Sequence, residues 1–205
     1  MLDAPGASRV GGLRELKKAR TRASLREHAL RLFREQGYQA TTVEQIAAAA
    51  EVSPSTFFRY FPTKEDVVLQ DDMDTRMIEA LEQQPSGMRP VAAVRAATRQ
   101  VFASYTAADV DVIRETTRLT MTVPEIRARA LDEFARAIGG VAEALAKRSG
   151  RRPDDLAVRT VAGAIIGVIM AITLPWEGWM EGRDFADTFE AIDQALALLE
   201  QGLPL

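Results

Sequence analysis

The chain has 205 residues, 47% hydrophobic and 27% charged, enough apolar material for a packed core and too much for wholesale disorder. It has no cysteine and one histidine, His28, which excludes a disulfide framework, a thiolate zinc site and a cysteine nucleophile, and leaves no histidine cluster for a metal. The net charge of −3 hides a division: residues 9–64 carry 11 Lys and Arg against 5 Asp and Glu, and the remainder carries 15 against 24. A basic first third on an acidic remainder fits a polyanion-binding module joined to a part that does not bind polyanions. The first residues lack the apolar core of a secretory signal, so a cytoplasmic location is expected.

Helix signals dominate, and no run of β-branched residues alternates with polar ones as a strand requires. Residues 1–13 are small and glycine-rich and read as a loose tail. The first helix is expected from Leu16 to Gln36, with Leu25, Ala29, Leu32 and Phe33 on one stripe and Gly37 as a left-handed cap. The second starts at Thr41 or Thr42, each followed three residues later by Glu44 or Gln45 as a capping box requires, and buries Val43, Ile46, Ala47 and Ala50. The third has Ser53 as N-cap and Pro54 as first residue, and stops near Tyr60 because Phe61 precedes Pro62. Thr63 caps a fourth, with Glu65 and Asp66 in its first turn, expected to run unbroken to Gln84. Five further helices follow: Pro90–Ala108, Asp111–Thr120, Pro124–Ser149, Pro153–Leu174 and Asp184–Leu203. The expected fold class is therefore all-α, with about nine helices. The expected division is a tail (1–13), a helix-turn-helix domain (14–66) and an effector-binding and dimerisation domain (67–205).

The stretch from Thr41 to Asp66 carries the chemistry. A helix of about eight residues, a tight turn at Glu51-Val52 and a short second helix set two helices at a steep angle with the second exposed. A helix of seven residues is not stable alone in water and must be held by packing, for which Val52 and Phe57 are the apolar handles. With Phe57 inward, Ser55 and Arg59 fall about 160° away at 100° per residue, flanked by Thr56 and Phe58. Arginine grips guanine O6 and N7 through two hydrogen bonds, and an apolar ring meets a thymine methyl. Tyr60, Lys64 and Thr42 stand where phosphates would lie, and Arg14, Lys17, Lys18, Arg20 and Arg22 precede them.

The run Thr42-Val43-Glu44-Gln45-Ile46-Ala47, followed by Val52-Ser53-Pro54-Ser55-Thr56-Phe57-Phe58-Arg59-Tyr60-Phe61-Pro62-Thr63-Lys64-Glu65-Asp66, closely resembles the DNA-binding signature of the tetracycline-repressor (TetR) family. Ala29, Leu32-Phe33, Gly37-Tyr38 and Thr41 fit as its lead-in, so the match spans about residues 20–66. The resemblance implies an all-helical homodimer on a palindromic double-stranded DNA operator, with a small-molecule pocket in the C-terminal domain and no cofactor. It places Ser55, Thr56 and Arg59 against bases, with Ser53, Pro54 and Phe58 beside them, Tyr60 and Lys64 on phosphates, and Thr42 as anchor of the second helix. Two positions depart from the family pattern. Glu51 stands where glycine is common, so it must adopt a left-handed conformation or shift the turn, at about 1 kcal/mol. Phe58 stands where tyrosine is common, so a phenol-phosphate bond is missing.

Beyond residue 67 the resemblance says least. Thr160 to Trp176 is an uncharged run containing Gly163 and Gly167; it is short for a membrane span, which needs about 20 residues, and Pro175 ends it. It reads as a core or dimer-interface helix, not a membrane segment. Gly163, Ile166, Gly167 and Met170, with Ile192, Leu196 and Leu199 from the last helix, are the expected interface. Phe102, Tyr105, Met121, Trp176 and Trp179 are candidate pocket residues, with Arg114 and Arg118 for an acidic group of a largely apolar effector such as an acyl thioester. His28 reads as a structural histidine, and Asp71-Asp72 and Asp154-Asp155 as solvated helix-start charges. No nucleophile-base pair or phosphate loop supports an enzyme. The acidic C-terminal part argues against a non-specific DNA binder. A repressor is expected, the alternative being an activator or ligand-independent regulator of the same fold.

Overall fold

The computed structural model describes residues 7–70, 73–174 and 185–203, and among these it contains ten helical segments and no strand. The chain divides into two compact units, residues 1–70 and 71–205. The first holds α1 (Ala7–Gln36), α2 (Val43–Ala49), α3 (Pro54–Tyr60) and α4 (Asp66–Leu69). The second holds α5 (Met73–Gln83), α6 (Pro90–Ala103), α7 (Ala107–Thr122), α8 (Pro124–Ser149), α9 (Leu156–Thr173) and α10 (Phe185–Glu200).

The boundaries of α2 and α3 follow from their caps. Thr42 accepts a hydrogen bond from the Gln45 N–H while the Gln45 side chain accepts one from the Thr42 N–H, a complete capping box. Thr41 has the other role: it is buried, and its hydroxyl donates to the Gly37 carbonyl at 2.8 Å. Ser53 caps α3 through the Thr56 N–H, Pro54 takes the first position, and Phe61 ends the helix in extended backbone. Leu25, Ala29, Phe33, Ile46, Ala47, Phe57 and Phe61 form the core of this unit, each at most 2% exposed. Leu32, Val43 and Ala50 are only half-buried, and Leu30 takes the place expected for Leu32.

Two expectations fail here. Helix α1 begins at Ala7, not Leu16, so residues 7–13 are helical instead of a tail. The fourth helix is not continuous: α4 ends at Gln70, whose ψ of 100° is extended, and α5 starts afresh at Met73. The first unit claims α4 because Asp66, Val67 and Val68 are buried in it. Arg22 and Arg26 of α1 also donate to the Gln70 and Val68 carbonyls, satisfying α4's open C-terminus. The nine expected helices become ten through this one break. The expected boundary at residue 66 falls four residues short for the same reason.

In the second unit, alanines at helical spacing let the helices approach closely. Ala93, Val94, Ala97 and Val101 of α6 share one core cluster with Ala142 and Leu145 of α8, Ala162 and Ile165 of α9, and Ile192 and Leu196 of α10. Arg148 closes the C-terminus of α5, donating to the carbonyls of Leu81, Gln84 and Pro85 at 3.0, 2.9 and 2.6 Å. Pro153 lies in a turn before α9, which starts at Leu156 with Asp155 as its cap. Helix α6 ends at Ala103, five residues before the expected Ala108, and α7 begins at Ala107 because Thr106 and Asp109 form a capping box.

Candidate nucleic-acid interface

Helix α3 is too short to hold its own orientation, so its geometry comes from the packing beneath it. The Phe57 ring is fully buried, 5.8 Å from Phe61 and 5.5 Å from Phe58, the latter pair edge to face. This anchor fixes the opposite side outward, where Ser55 and Arg59 are exposed and the Phe58 ring is 51% exposed. Thr56 is half-buried beside them. The hydroxyls of Ser53, Ser55 and Thr56 form one cluster, with Ser53 Oγ 2.8 Å from Ser55 Oγ and 3.0 Å from Thr56 Oγ1. Arg59 makes no ion pair among the described residues and lies 5.3 Å from the Tyr60 ring centroid. The face thus offers one guanidinium with its fork of donors free, one apolar ring and a hydroxyl cluster, a set suited to base edges.

The turn beneath this face is strained at one place. Glu51 has a φ of 55°, in the left-handed region. It is the residue after the cap of α2: its N–H donates to the Ala48 carbonyl at 3.1 Å, and the Val52 N–H to the Ala47 carbonyl at 2.9 Å. This pair of hydrogen bonds closes the helix end as a Schellman motif, whose pivot normally belongs to glycine. The left-handed alternative anticipated for Glu51 is the one adopted. Gly37 serves the preceding turn at a φ of 88° without that cost.

Several basic residues expected on phosphates are engaged inside the unit. The Lys64 ammonium donates to the carbonyls of Tyr38 and Thr41 at 3.0 and 3.1 Å and lies 4.0 Å from the Tyr38 ring centroid. Lys64 is thereby a clamp on the α1–α2 turn, with two of its three protons committed. Arg22 stands over the Phe61 ring at 5.0 Å and donates to Gln70, so it holds α4 in place of reaching solvent. Tyr60 is half-buried, and Thr42 is exposed at the start of α2. Two residues that were not among the expected site residues complete the frame. Gln36 donates to Thr41 Oγ1 and Gln45 Oε1, tying α1 to the capping box. Tyr38 donates to Glu65 Oε1 at 2.5 Å. Burial pushes the Glu65 carboxyl up, but the bonds from Tyr38, Thr63 and its own backbone and the Lys64 charge outweigh it and leave it below the ordinary range.

In the second unit the expected effector residues part company. Phe102 stacks on Phe189 of α10 with centroids 4.6 Å apart, and Tyr105 meets Phe102 edge on at 5.5 Å. Phe189 was absent from the sequence expectation, although it shares a stripe with Ile192 and Leu196 at i, i+3 and i+7. Met121 is half-buried. Arg114 and Arg118 are exposed and paired with Asp111 and Glu115 one turn back, at 2.9 and 2.7 Å. Trp176, Trp179 and Asp71-Asp72 lie outside the described residues. The expected interface also divides. Ile166, Ile192 and Leu196 are buried in the chain's own core and are not available to a partner. Gly163, Met170 and Leu199 are half-buried and Gly167 is exposed. No group of three or more His, Cys, Asp or Glu among the described residues is placed to hold a metal.

The geometry agrees with the relatives of this sequence. A family model described as bacterial regulatory proteins, tetR family, matches residues 25–70, and one described as MftR C-terminal domain matches residues 88–204. The HTH-type transcriptional regulator TcmR of Streptomyces glaucescens is 35% identical over 173 residues, covering 80% of this chain and 76% of its own. The putative mycofactocin biosynthesis transcriptional regulator MftR of Mycobacterium tuberculosis is 27% identical, with 97% of each chain covered. Among solved structures, Thermus thermophilus FadR, a TetR-family repressor in complex with lauroyl-CoA, is 29% identical with a TM-score of 0.55, covering 90% of this chain and 95% of that one. With a family model covering more than half of its residues and a buried-Phe57 helix-turn-helix to match, this chain belongs to the TetR family of transcriptional regulators.

Proposed function

We propose that the chain is a repressor that binds a palindromic operator as a homodimer and is released by a lipophilic effector. The observation that carries the DNA reading is the outer face of α3. Arg59, Ser55 and Phe58 are exposed there because Phe57 is fully buried on the other side. In this reading Arg59 grips a guanine, Phe58 meets a thymine methyl, and Thr42 and Tyr60 take phosphates. Two copies of α3 would enter successive major grooves about 34–36 Å apart, and an effector would favour another spacing.

A second copy of the chain is supported by α9. This 18-residue helix has a mean hydropathy of 2.0, yet only 22% of it is buried within one subunit. Its Thr160, Gly167 and Ala171 are exposed, and nothing lies within 4 Å of a side chain built at Gly163 or Gly167. A helix this apolar needs another cover, and small residues permit a partner helix to come close. Sedimentation of the purified chain as monomers at micromolar concentration would remove this part of the reading. The effector reading draws on the Phe102–Phe189 stack and on the lauroyl-CoA bound by the FadR relative.

The deciding measurement is fluorescence anisotropy on DNA from upstream of the chain's own gene, against scrambled DNA of equal length, with and without long-chain acyl thioesters. Nanomolar binding lost on scrambling and weakened by a thioester is the expected result. Equal affinity for both DNAs defeats the operator reading. Specific binding that thioesters leave unchanged defeats the effector class alone.

A further inference from the structure

We infer that Lys64, Tyr38 and Glu65 form a clasp that sets the orientation in which α3 meets DNA, so that Lys64 is a positioning residue for base reading and not a phosphate contact. The inference rests on the DNA-binding reading above. Helix α3 has seven residues, and Phe57 is the buried one among them; Phe61, its C-cap, is buried as well. These two anchors lie one turn apart, nearly along the helix axis. They hold α3 down, but they leave its roll about that axis to be fixed by something else. The entry to α3 is held by the turn at Glu51 and Val52, whose N–H groups are bonded to carbonyls of α2. The exit needs a tie of its own, because the chain leaves α3 in extended backbone at Phe61.

That tie is made just beyond Phe61. The Lys64 ammonium donates to the Tyr38 and Thr41 carbonyls at 3.0 and 3.1 Å and lies over the Tyr38 ring, 4.0 Å from its centroid. In return the Tyr38 hydroxyl donates to Glu65 Oε1 at 2.5 Å. Tyr38 and Thr41 precede α2, and Lys64 and Glu65 follow α3. The clasp therefore joins the two ends of the helix-turn-helix across 23 to 27 residues of chain, and a loop closed at its base cannot hinge there. The same bonds withdraw Lys64 from phosphates: it is half-buried, two of its protons go to carbonyls, and its charge already acts on the Glu65 carboxylate beside it. Arg59, by contrast, is exposed. A two-bond contact from Arg59 to a guanine depends on alignment, because hydrogen bonds weaken steeply as they bend. Attraction of the whole unit to phosphate charge does not depend on it. The clasp thus acts on sequence choice and leaves general affinity for DNA alone.

The test compares the unaltered chain with Lys64→Met and with Tyr38→Phe, which removes one bond of the clasp without removing a cation. Two probes are used: a duplex that the unaltered chain selects from a random 40-base-pair pool, and the unselected pool. Both variants are expected to lose about 10-fold in affinity for the selected duplex while keeping their affinity for the pool and its salt dependence. Circular dichroism at the assay temperature checks that helix content is retained. Loss of fold alone lowers both affinities together, and Tyr38→Phe decides the matter if Lys64→Met does not fold. A phosphate contact gives another pattern. Lys64→Met would then weaken both probes equally and lower the slope of log affinity against log salt by about 0.9 per subunit, while Tyr38→Phe would bind like the unaltered chain. That pattern, or undiminished preference for the selected duplex in either folded variant, overturns the clasp. Failure of the unaltered chain to enrich any duplex overturns the DNA-binding reading itself, and the clasp's role with it.

Discussion

The two units of this chain are finished to different degrees. In residues 7–70, hydrogen-bonded ties close on themselves: Gln36 to the capping box, Lys64 to the α1–α2 turn, Asp66 and Thr63 to each other, Arg22 and Arg26 to α4. Phe57, Phe61 and Phe33 are completely or almost completely covered. Both units expose single large apolar side chains, but the second leaves most of its most apolar helix, α9, outside its own core. A reading head must hold one geometry before it meets DNA.

The largest expected effect tests whether the first unit stands alone. Phe57→Ala should cost about 3–5 kcal/mol, enough to melt residues 7–70. Protease should then cut within those residues while the second unit stays resistant; cleavage throughout both would break the comparison. Next, Arg59→Ala is expected to leave stability unchanged, because the side chain is exposed, and to relax operator discrimination by about 1–3 kcal/mol. Competition between operator and single-base variants measures it, and retained discrimination would mean that α3 presents another residue to the bases.

In the second unit an ion network ties α6 to α10. Arg95 bonds Asp193 and Glu200 at 3.0 and 2.9 Å, and Arg99 bonds Asp193 at 2.8 Å. Burial raises the Asp193 carboxyl, but the hydrogen bonds and charges of Arg95 and Arg99 prevail and hold it below its ordinary value of 3.8. A group lowered in the folded state stabilises above its unfolded pKa, and that contribution is lost as pH falls through the folded one. Asp193→Asn is therefore expected to lower stability by about 1–3 kcal/mol at pH 7 and to narrow its gap to the unaltered chain below about pH 4. Thermal melts at both pH values check this, and a gap independent of pH would remove the electrostatic account. The smallest effect sharpens the contrast from the other side. Glu51→Gly should stabilise the first unit by about 1 kcal/mol by relieving the left-handed backbone, read as a raised melting temperature of that unit alone.

Much of the first unit was legible because its signals are local. Ser53-Pro54 starts α3, Phe61-Pro62 ends it, Thr42 with Gln45 opens α2, and the wheel position of Phe57 fixes which side of α3 faces out. Each depends on residues within about four positions, where capping and periodicity act. The break at Gln70 was not legible. Helix signals run on from Asp66, and the interruption comes with guanidiniums 42 and 48 residues away that bind the Val68 and Gln70 carbonyls.

The same limit governs the charges. Sequence fixes that Lys64, Arg22, Arg114 and Arg118 are cations, not what they face. Two carbonyls take Lys64, Gln70 takes Arg22, and acids one turn back take Arg114 and Arg118. Likewise the apolar stripes of α9 and α10 were visible, but only packing decided that Ile166, Ile192 and Leu196 turn into the chain's own core while Gly167 stays outside. The sequence by itself determined the all-α class, the side of α3 that faces out and the family resemblance, because caps, periodicity and a long ungapped motif are short-range information. Tertiary structure alone decided which cations are engaged and which apolar residues are covered, because a long side chain finds its partner in space and not along the chain.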